Sequence, residues 1–198
     1  MRIVVGKGSC GLAAGAGKIY SALKALRIAE DTFELGITGC VGMCFLEPIV
    51  DIYNGHKLEA RLVHVEENQV PQIVDAVRSN DLKKVEDLKV SAEEETFLTQ
   101  QTRIALRNCG IIDPEDIESY KAREGYQALR KVLTTMSPEG VIEEIKTSGL
   151  AGRGGAGFPT WFKWNACRQN EGIRHLICNA DEGDPGAFMD RAVIESDP

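Results

Sequence analysis

Gly149-Leu-Ala-Gly-Arg-Gly-Gly-Ala-Gly-Phe-Pro159, continued by Thr160-Trp-Phe-Lys-Trp164, is the stretch around which the chain is organised. Five of its first eleven residues are glycine, and Arg153 stands among them. Glycine admits positive φ and lets a ligand approach main-chain N–H groups closely. Successive N–H groups in such turns make anion-binding concavities, and a following helix N-terminus adds a favourable dipole. Arg153 and Lys163 add full positive charge. The stretch reads as a nucleotide-binding loop.

Its type follows from what precedes it. Gly152-Arg-Gly154-Gly-Ala-Gly157 satisfies G-x-G-x-x-G, a pattern that is specific only between a strand and a helix. Here Ser137-Pro-Glu-Gly-Val-Ile-Glu-Glu-Ile-Lys-Thr-Ser148 comes first. Ser137 is a natural N-cap, Pro138 suits the first helical position, and Val141, Ile142 and Ile145 share a face. A helix therefore enters the loop where a dinucleotide-binding βαβ unit has a strand. The Walker pattern is absent. Downstream, His175-Leu-Ile-Cys-Asn-Ala180 is a short apolar run, expected as a buried strand, and it ends in Asp181-Glu-Gly-Asp-Pro-Gly186. Ligands of open α/β sheets bind beyond such strand ends, which makes Asn179, Asp181, Glu182 and Asp184 candidates for ribose or ring contacts.

These motifs carry a resemblance. Gly-Leu-x-Gly-Arg-Gly-Gly-Ala-Gly-Phe-Pro-Thr, followed by Asn-Ala-Asp-Glu-x-x-Pro-Gly, resembles the NADH-binding, FMN-containing flavoprotein subunits. That family includes the NADH dehydrogenase subunit of complex I and the diaphorase subunits of soluble hydrogenases and formate dehydrogenases. Asn108-Cys-Gly-Ile-Ile-Asp-Pro114 is similar to its hydrogenase-type branch. The likeness covers roughly residues 97 to 198. It implies that Gly152, Arg153, Gly154, Gly155 and Gly157 line the nucleotide pocket and that Phe158 offers NADH an aromatic face. By the same likeness Lys163, Asn179, Asp181 and Glu182 contact flavin. Many relatives have Glu where Asp184 stands, so Asp184 departs from the pattern.

Residues 1–80 read as a separate α/β domain. Arg2-Ile-Val-Val5 is a strand, residues 6–11 a Gly/Ser/Cys loop, and Ala14 to Leu26 a helix marked by Ile19, Ala22, Leu23 and Leu26. Thr32–Thr38 is a second strand. Ile49–Tyr53 and Ala60–Val65 flank the turn signal Asn54-Gly55 and form a hairpin, and Val70, Ile73, Val74 and Val77 mark a closing helix. This order is thioredoxin-like. Cys10 lies in the first loop, and Cys40-Val-Gly-Met-Cys44 follows the second strand. The arrangement resembles the thioredoxin-like [2Fe–2S] ferredoxin domain that such flavoproteins often carry, with one departure. The first pair of that family is spaced C-x₄-C, and position 15 here is glycine. Four thiolates normally hold a [2Fe–2S] cluster. Cys10, Cys40 and Cys44 make three, so Ser9, another residue or a partner would have to complete the set; the alternative is a degenerate structural domain that holds no cluster.

Residues 81–136 read as a charged helical linker, and 137–198 as the start of a Rossmann-like FMN/NADH-binding domain. Tyr120 and Tyr126 read as packing residues, and Cys109, Cys167 and Cys178 as buried thiols. Tyr126, Leu129, Val132, Leu133 and Met136 share a helical stripe. The net charge of −7 argues against nucleic acid as a partner. No apolar run approaches the roughly 18 residues of a membrane span, and the N-terminus lacks a secretory pattern. The chain is expected to be cytoplasmic. Family relatives continue beyond Pro198 with further flavin loops, a ubiquitin-like domain and a Cys-rich [4Fe–4S] domain, so this chain is expected to be the N-terminal part. The resemblance implies an NADH dehydrogenase (diaphorase)-type subunit using FMN and NAD(H). Its implied partners are iron–sulfur, hydrogenase, formate dehydrogenase or complex I-type subunits. The alternative is a truncated or split subunit that docks or transfers electrons without oxidising NADH itself.

Overall fold

The structure is a computed structural model that describes residues 1–27, 33–153 and 156–198. In chain order the elements begin with β1 (Arg2–Gly6), α1 (Ser9–Ala14), α2 (Ala16–Leu26), β2 (Glu34–Thr38), β3 (Val50–Asn54), β4 (Lys57–Leu62) and α3 (Val70–Arg78). There follow α4 (Ala92–Thr99), α5 (Ile117–Lys121), α6 (Gln127–Thr135), α7 (Pro138–Ser148), α8 (Thr160–Arg168) and α9 (Met189–Ser196). Two compact units result. The larger holds residues 1–120 and 180–198, and the smaller residues 121–179.

The larger unit is built on one sheet of order β2-β1-β3-β4. β1 and β2 run parallel, with Arg2 opposite Glu34 and Gly6 opposite Thr38. β3 runs antiparallel to both β1 and β4. That order and these directions are thioredoxin-like, as the element sequence predicts. The parallel pair needs a crossover, which α1 and α2 supply, whereas β3 and β4 need only the turn at Gly55, where φ is +59°. Ile3, Val5, Leu23, Phe33, Ile52, Leu62, Ile73 and Val77 form the main core. A second cluster of Val41, Met43, Leu46, Ile49 and Val63 lies around the Cys40–Cys44 loop. One charged pair is buried in the sheet: Arg61 donates from Nε and Nη2 to both Asp51 oxygens at 2.8 and 2.7 Å.

Several boundaries differ from the sequence reading. The expected loop over residues 6–11 already turns helical at Ser9 and forms α1, which ends at Ala14, and the helix expected from Ala14 to Leu26 begins at Ala16 as α2. Gly15 is the cause: at φ +111° it caps α1, donating its N–H to the carbonyls of Gly11 and Leu12. Thr32, the expected start of the second strand, lies outside the described residues. The second hairpin strand ends at Leu62 instead of Val65, and His64 then takes φ +51°.

The segment Asn108–Ile112 is tied down within the larger unit. Thr38 Oγ1 donates to the Ile112 carbonyl at 2.8 Å, Asn108 is buried, and Gly110 at φ +79° lies against the Val41 side chain. Cys109 is buried as expected, but Cys167 and Cys178 are exposed. Burial follows packing and not residue type: Cys167 lies on the open side of α8, and Cys178 in the extended run. Tyr126 is also largely exposed, in a left-handed conformation at the start of α6.

In the smaller unit, Ser137 Oγ accepts the Gly140 N–H at 3.1 Å and caps α7, which Gly149 ends at φ +68°. α7 meets α8 through the Arg168–Glu139 ion pair and through Lys146, whose Nζ lies 5.4 Å over the Trp161 ring. The apolar stripe of α6 stands open at Leu129 and Leu133. Residues 175–180 form no strand, and Leu176 and Ile177 are 99% and 82% exposed. A strand needs a neighbour to take its backbone hydrogen bonds, and among the described residues none lies beside this run.

Candidate functional site

Three of the sequence-predicted ligands converge. Cys10 sits in the first turn of α1, and Cys40 and Cys44 in the loop after β2. Their sulfurs all lie within 4.8 Å of one another. Cys10 Sγ stands 3.4 Å from Cys40 Sγ, which stands 3.5 Å from Cys44 Sγ. The turn that makes this geometry is Gly42, at φ +91°, and its N–H donates to Cys40 Sγ at 3.3 Å. The hydrogen bond from Cys10 outweighs burial and holds the Cys40 thiol down at about 6. The same hydrogen bond, with burial, pushes the Cys10 thiol up, and burial does so for Cys44.

Position 15 contributes no donor, as the sequence reading states, and its left-handed backbone disfavours any side chain there. Ser9 is engaged elsewhere: its hydroxyl donates to Glu195 Oε1 and its N–H to Glu195 Oε2 at 2.9 Å. Cys109 is turned toward the Ala192 carbonyl at 3.9 Å. Three thiols are therefore assembled, one fewer than the four that a [2Fe–2S] cluster normally takes.

Sequence reasoning missed two groups at this site. Glu47 is 7% exposed, and its Oε1 accepts from Cys10 Sγ at 3.7 Å while Oε2 accepts the Ile49 N–H at 2.8 Å. Burial pushes its carboxyl up to about 7. Arg191 on α9 reaches Cys44, with Nη2 at 3.9 Å from Sγ. Glu47 follows Cys44 by three residues, a local spacing the sequence does show, whereas Arg191 lies 147 positions beyond Cys44 and no spacing pattern could mark it.

The glycine loop belongs to the smaller unit. It closes as a narrow hairpin, with Gly152 N–H donating to the Phe158 carbonyl at 2.9 Å and Thr160 N–H to the Leu150 carbonyl at 3.1 Å. Ala151 bridges Pro159 across it, and Gly157 takes φ +62°. Gly154 and Gly155, two of the predicted pocket residues, lie outside the described residues. Arg153 and Phe158 are exposed, and Lys163 Nζ lies 5.7 Å over the Phe158 ring. The loop runs straight into α8, whose N-terminus faces it. A groove of about 520 Å³ lies between α7 and α8, lined by Pro138, Val141, Ile142, Trp164, Arg168 and Arg174.

The acidic candidates divide. Asn179 belongs to the smaller unit, and Asp181, Glu182 and Asp184 to the larger. Glu182, at φ +46°, caps α9: its carboxylate accepts the N–H groups of Asp190 at 2.7 Å and Arg191 at 3.0 Å. Asp181 and Glu182 line a cavity of about 400 Å³ with Ala187, Arg191, Ile194 and Glu195. No helix among the described residues is long and apolar enough to cross a membrane.

Comparison with known proteins places these features. Residues 145–198 match the Nuo51 FMN-binding domain family. The chain is 58% identical over 100 residues to the NADP-reducing hydrogenase subunit HndC of Solidesulfovibrio fructosivorans, a match covering 50% of this chain and 20% of that protein. It is 47% identical over 96 residues to an NADH-quinone oxidoreductase subunit of Rhizobium meliloti, covering 48% of this chain and 23% of that one. The chain thus spans about a fifth of the length of the curated relatives it matches. Among solved structures, the thioredoxin-like [2Fe–2S] ferredoxin from Aquifex aeolicus aligns with 46% of this chain and 95% of its own, at 20% identity and a TM-score of 0.37. Behind a domain of thioredoxin-like strand order, residues 145–198 are thus similar to the Nuo51 FMN-binding domain family.

Proposed function

We propose that this chain is a component of an NADH-oxidising flavoprotein in which electrons pass from NADH through FMN to iron–sulfur centres. The observation that carries the reading is the glycine hairpin at 151–159, held between the capped C-terminus of α7 and the start of α8, inside the segment that matches the FMN-binding family. The hairpin suits such a group. Among the described residues a Cβ at Gly157 would meet nothing closer than the Gly152 carbonyl at 3.8 Å, which leaves room for a ligand beside it. Bound FMN would supply hydride acceptance and single-electron release. This chain's part is binding and orientation. Main-chain N–H groups of the loop and the α8 N-terminus face phosphate, Arg153 and Lys163 supply positive charge, and Phe158 offers an aromatic surface to a ring. We assign the same binding role, at the acidic motif, to Asn179, Asp181, Glu182 and Asp184. The partners would be subunits of a hydrogenase, formate dehydrogenase or complex I-type assembly. We place the reading in the cytoplasm, where the thiols of Cys10, Cys40 and Cys44 stay reduced.

The purified chain supplied with FMN is expected to reduce an artificial dye with NADH. Gly157→Val is expected to abolish this, because a β-branched side chain cannot hold φ +62° and would fill the open face. Equal rates in the variant would remove the loop from the assignment. A second reading, a docking module without NADH oxidation of its own, is favoured by the exposed apolar side chains of Leu129, Leu133, Leu176 and Ile177. Absence of dye reduction, with capture of FMN only when another flavoprotein chain is present, would select it.

A further inference from the structure

We propose that Arg2 and His56 form a binding site for one small oxyanion of the phosphate class, at the end of the sheet away from the thiols.

The first observation is an orphaned donor. Among the described residues, Arg2 Nε is the one buried side-chain nitrogen or oxygen with no hydrogen-bond partner. Native folds leave few such groups, and each calls for an explanation in a ligand, an ion or water. Its cause lies in the sheet. Arg2 stands opposite Tyr53 of β3, with the guanidinium carbon 5.0 Å from the centre of the Tyr53 ring. A ring face attracts the cation but supplies no lone pair to its N–H groups. Tyr53 is itself fixed, being buried and donating its hydroxyl to the Gly110 carbonyl at 3.5 Å. The guanidinium is therefore held in place while its donors stay unspent.

The second observation is a missing counter-ion. Glu34 stands opposite Arg2 in β2, but its side chain is exposed and makes no ion pair with the guanidinium. Burial at Nε strips part of the charge of water, and a charge so placed is costly without an anion beside it. Arg61, the other guanidinium of this sheet, shows the contrast, since both Asp51 oxygens accept from it.

The third observation is room. A cavity of about 360 Å³ opens beside Arg2, lined also by Met1, Glu34, Gly55 and His56. That is near the lower end of ligand pockets, which run from roughly 300 to 1,000 Å³, so the occupant is small. The hairpin turn brings His56 there: Asn54 pairs with Lys57, and Gly55 and His56 make the turn between them. His56 offers a ring N–H donor in either protonation state. Donors on β1 and on the turn thus flank one small cavity, which suits a tetrahedral oxyanion with acceptors in several directions. A guanidinium binds such a group through paired N–H bonds. The site lies at the Arg2 end of β1, whereas Cys10 follows its Gly6 end and the glycine hairpin belongs to the other unit.

The test is titration of the 198-residue chain with sodium phosphate, against chloride at constant ionic strength, followed by proton–nitrogen correlation NMR. The expected result is saturable shifts of Arg2 Nε–H and of the Gly55 and His56 amides, all with one apparent Kd. Arg2→Met keeps an unbranched side chain over Tyr53 and is expected to weaken phosphate binding at least about tenfold, the loss of a charge-assisted hydrogen bond. His56→Ala is expected to weaken it about two- to tenfold. Glu34→Gln removes a like charge from the rim and is expected to tighten it about two- to fivefold. Glycerol phosphate in place of inorganic phosphate separates the sources: tighter binding of the ester assigns the phosphate of a metabolite, and equal or weaker binding assigns the free ion. Shifts that never saturate, or that chloride reproduces, would overturn the site, as would unchanged affinity in Arg2→Met. Should Arg2→Met lose its fold, Glu34→Gln decides, because phosphate binding that is unaltered or weaker there contradicts an anion beside Arg2. All these signals are read in the larger unit, so the flavoprotein reading stands or falls separately.

Discussion

Asp51→Ala is expected to lower the unfolding free energy by about 3–5 kcal/mol, the usual cost of stranding one member of a buried ion pair. Asp51 is 1% exposed and lies opposite Arg61 across β3 and β4, with two hydrogen bonds joining the groups. Without the carboxylate, the guanidinium stays on the sheet with 13% of its side chain exposed and no anion in the position Asp51 held. The attraction that compensated its lost hydration is gone, whereas the lost hydration remains. The double variant Asp51→Leu with Arg61→Met is expected to recover most of the loss, because apolar replacements of similar volume leave no charge to desolvate. Urea denaturation followed by circular dichroism measures both. A loss below about 1 kcal/mol in Asp51→Ala would place the pair with solvated surface bridges and not with buried ones.

Gly39→Ala is expected to release α9 from the loop that carries Cys40. A Cβ at residue 39 would stand 2.5 Å from Ser196 Cα, which is backbone and has no rotamer by which to move aside. Either the loop or the C-terminal turn of α9 must shift. The hydrogen bond from Ser196 Oγ to the Cys40 carbonyl, at 3.2 Å, breaks in either case. Glu195 and Arg191 lie on the same helix, so Ser9 and Cys44 lose their contacts with it as well. Overpacking of this kind costs about 1–3 kcal/mol, which is roughly 5- to 150-fold faster hydrogen exchange where exchange reports local opening. Amides of residues 189–196 and of Ser9 are expected to show it, while those of β1 and β3 stay protected. Uniform exchange across the unit, or none, would contradict the local docking described here.

The sequence by itself determined most of the first domain and the frame of the second. Alternating or continuous apolar runs at Ile3–Val5 and Ile49–Ile52, the Asn54-Gly55 turn and the helical spacing of Val70 to Val77 are local signals, because strand and helix periods are written in neighbouring residues. Ser137 and Gly149 bracket α7 for the same reason, one satisfying an N-terminal N–H group and the other accepting left-handed φ. Cys10, Cys40 and Cys44 were legible as a set because two of them share a short turn. Tertiary structure decided what no local pattern records. Helix α1, where the sequence reads as a loop, is separated from α2 by Gly15, whose φ of +111° caps one helix and opens the next. His175–Ala180 has a strand's composition but no neighbouring strand among the described residues, so its apolar side chains face solvent. Exposure of Cys167 and Cys178 likewise depends on which elements cover them. Glu47 reaches the Cys10 thiol only because β1, α1 and the Cys40 loop converge there, with glycine at positions 6 and 11 leaving room for a carboxylate. Burial and coordination are properties of residues brought together from distant parts of the chain, and those encounters are settled only when the sheet and its helices pack.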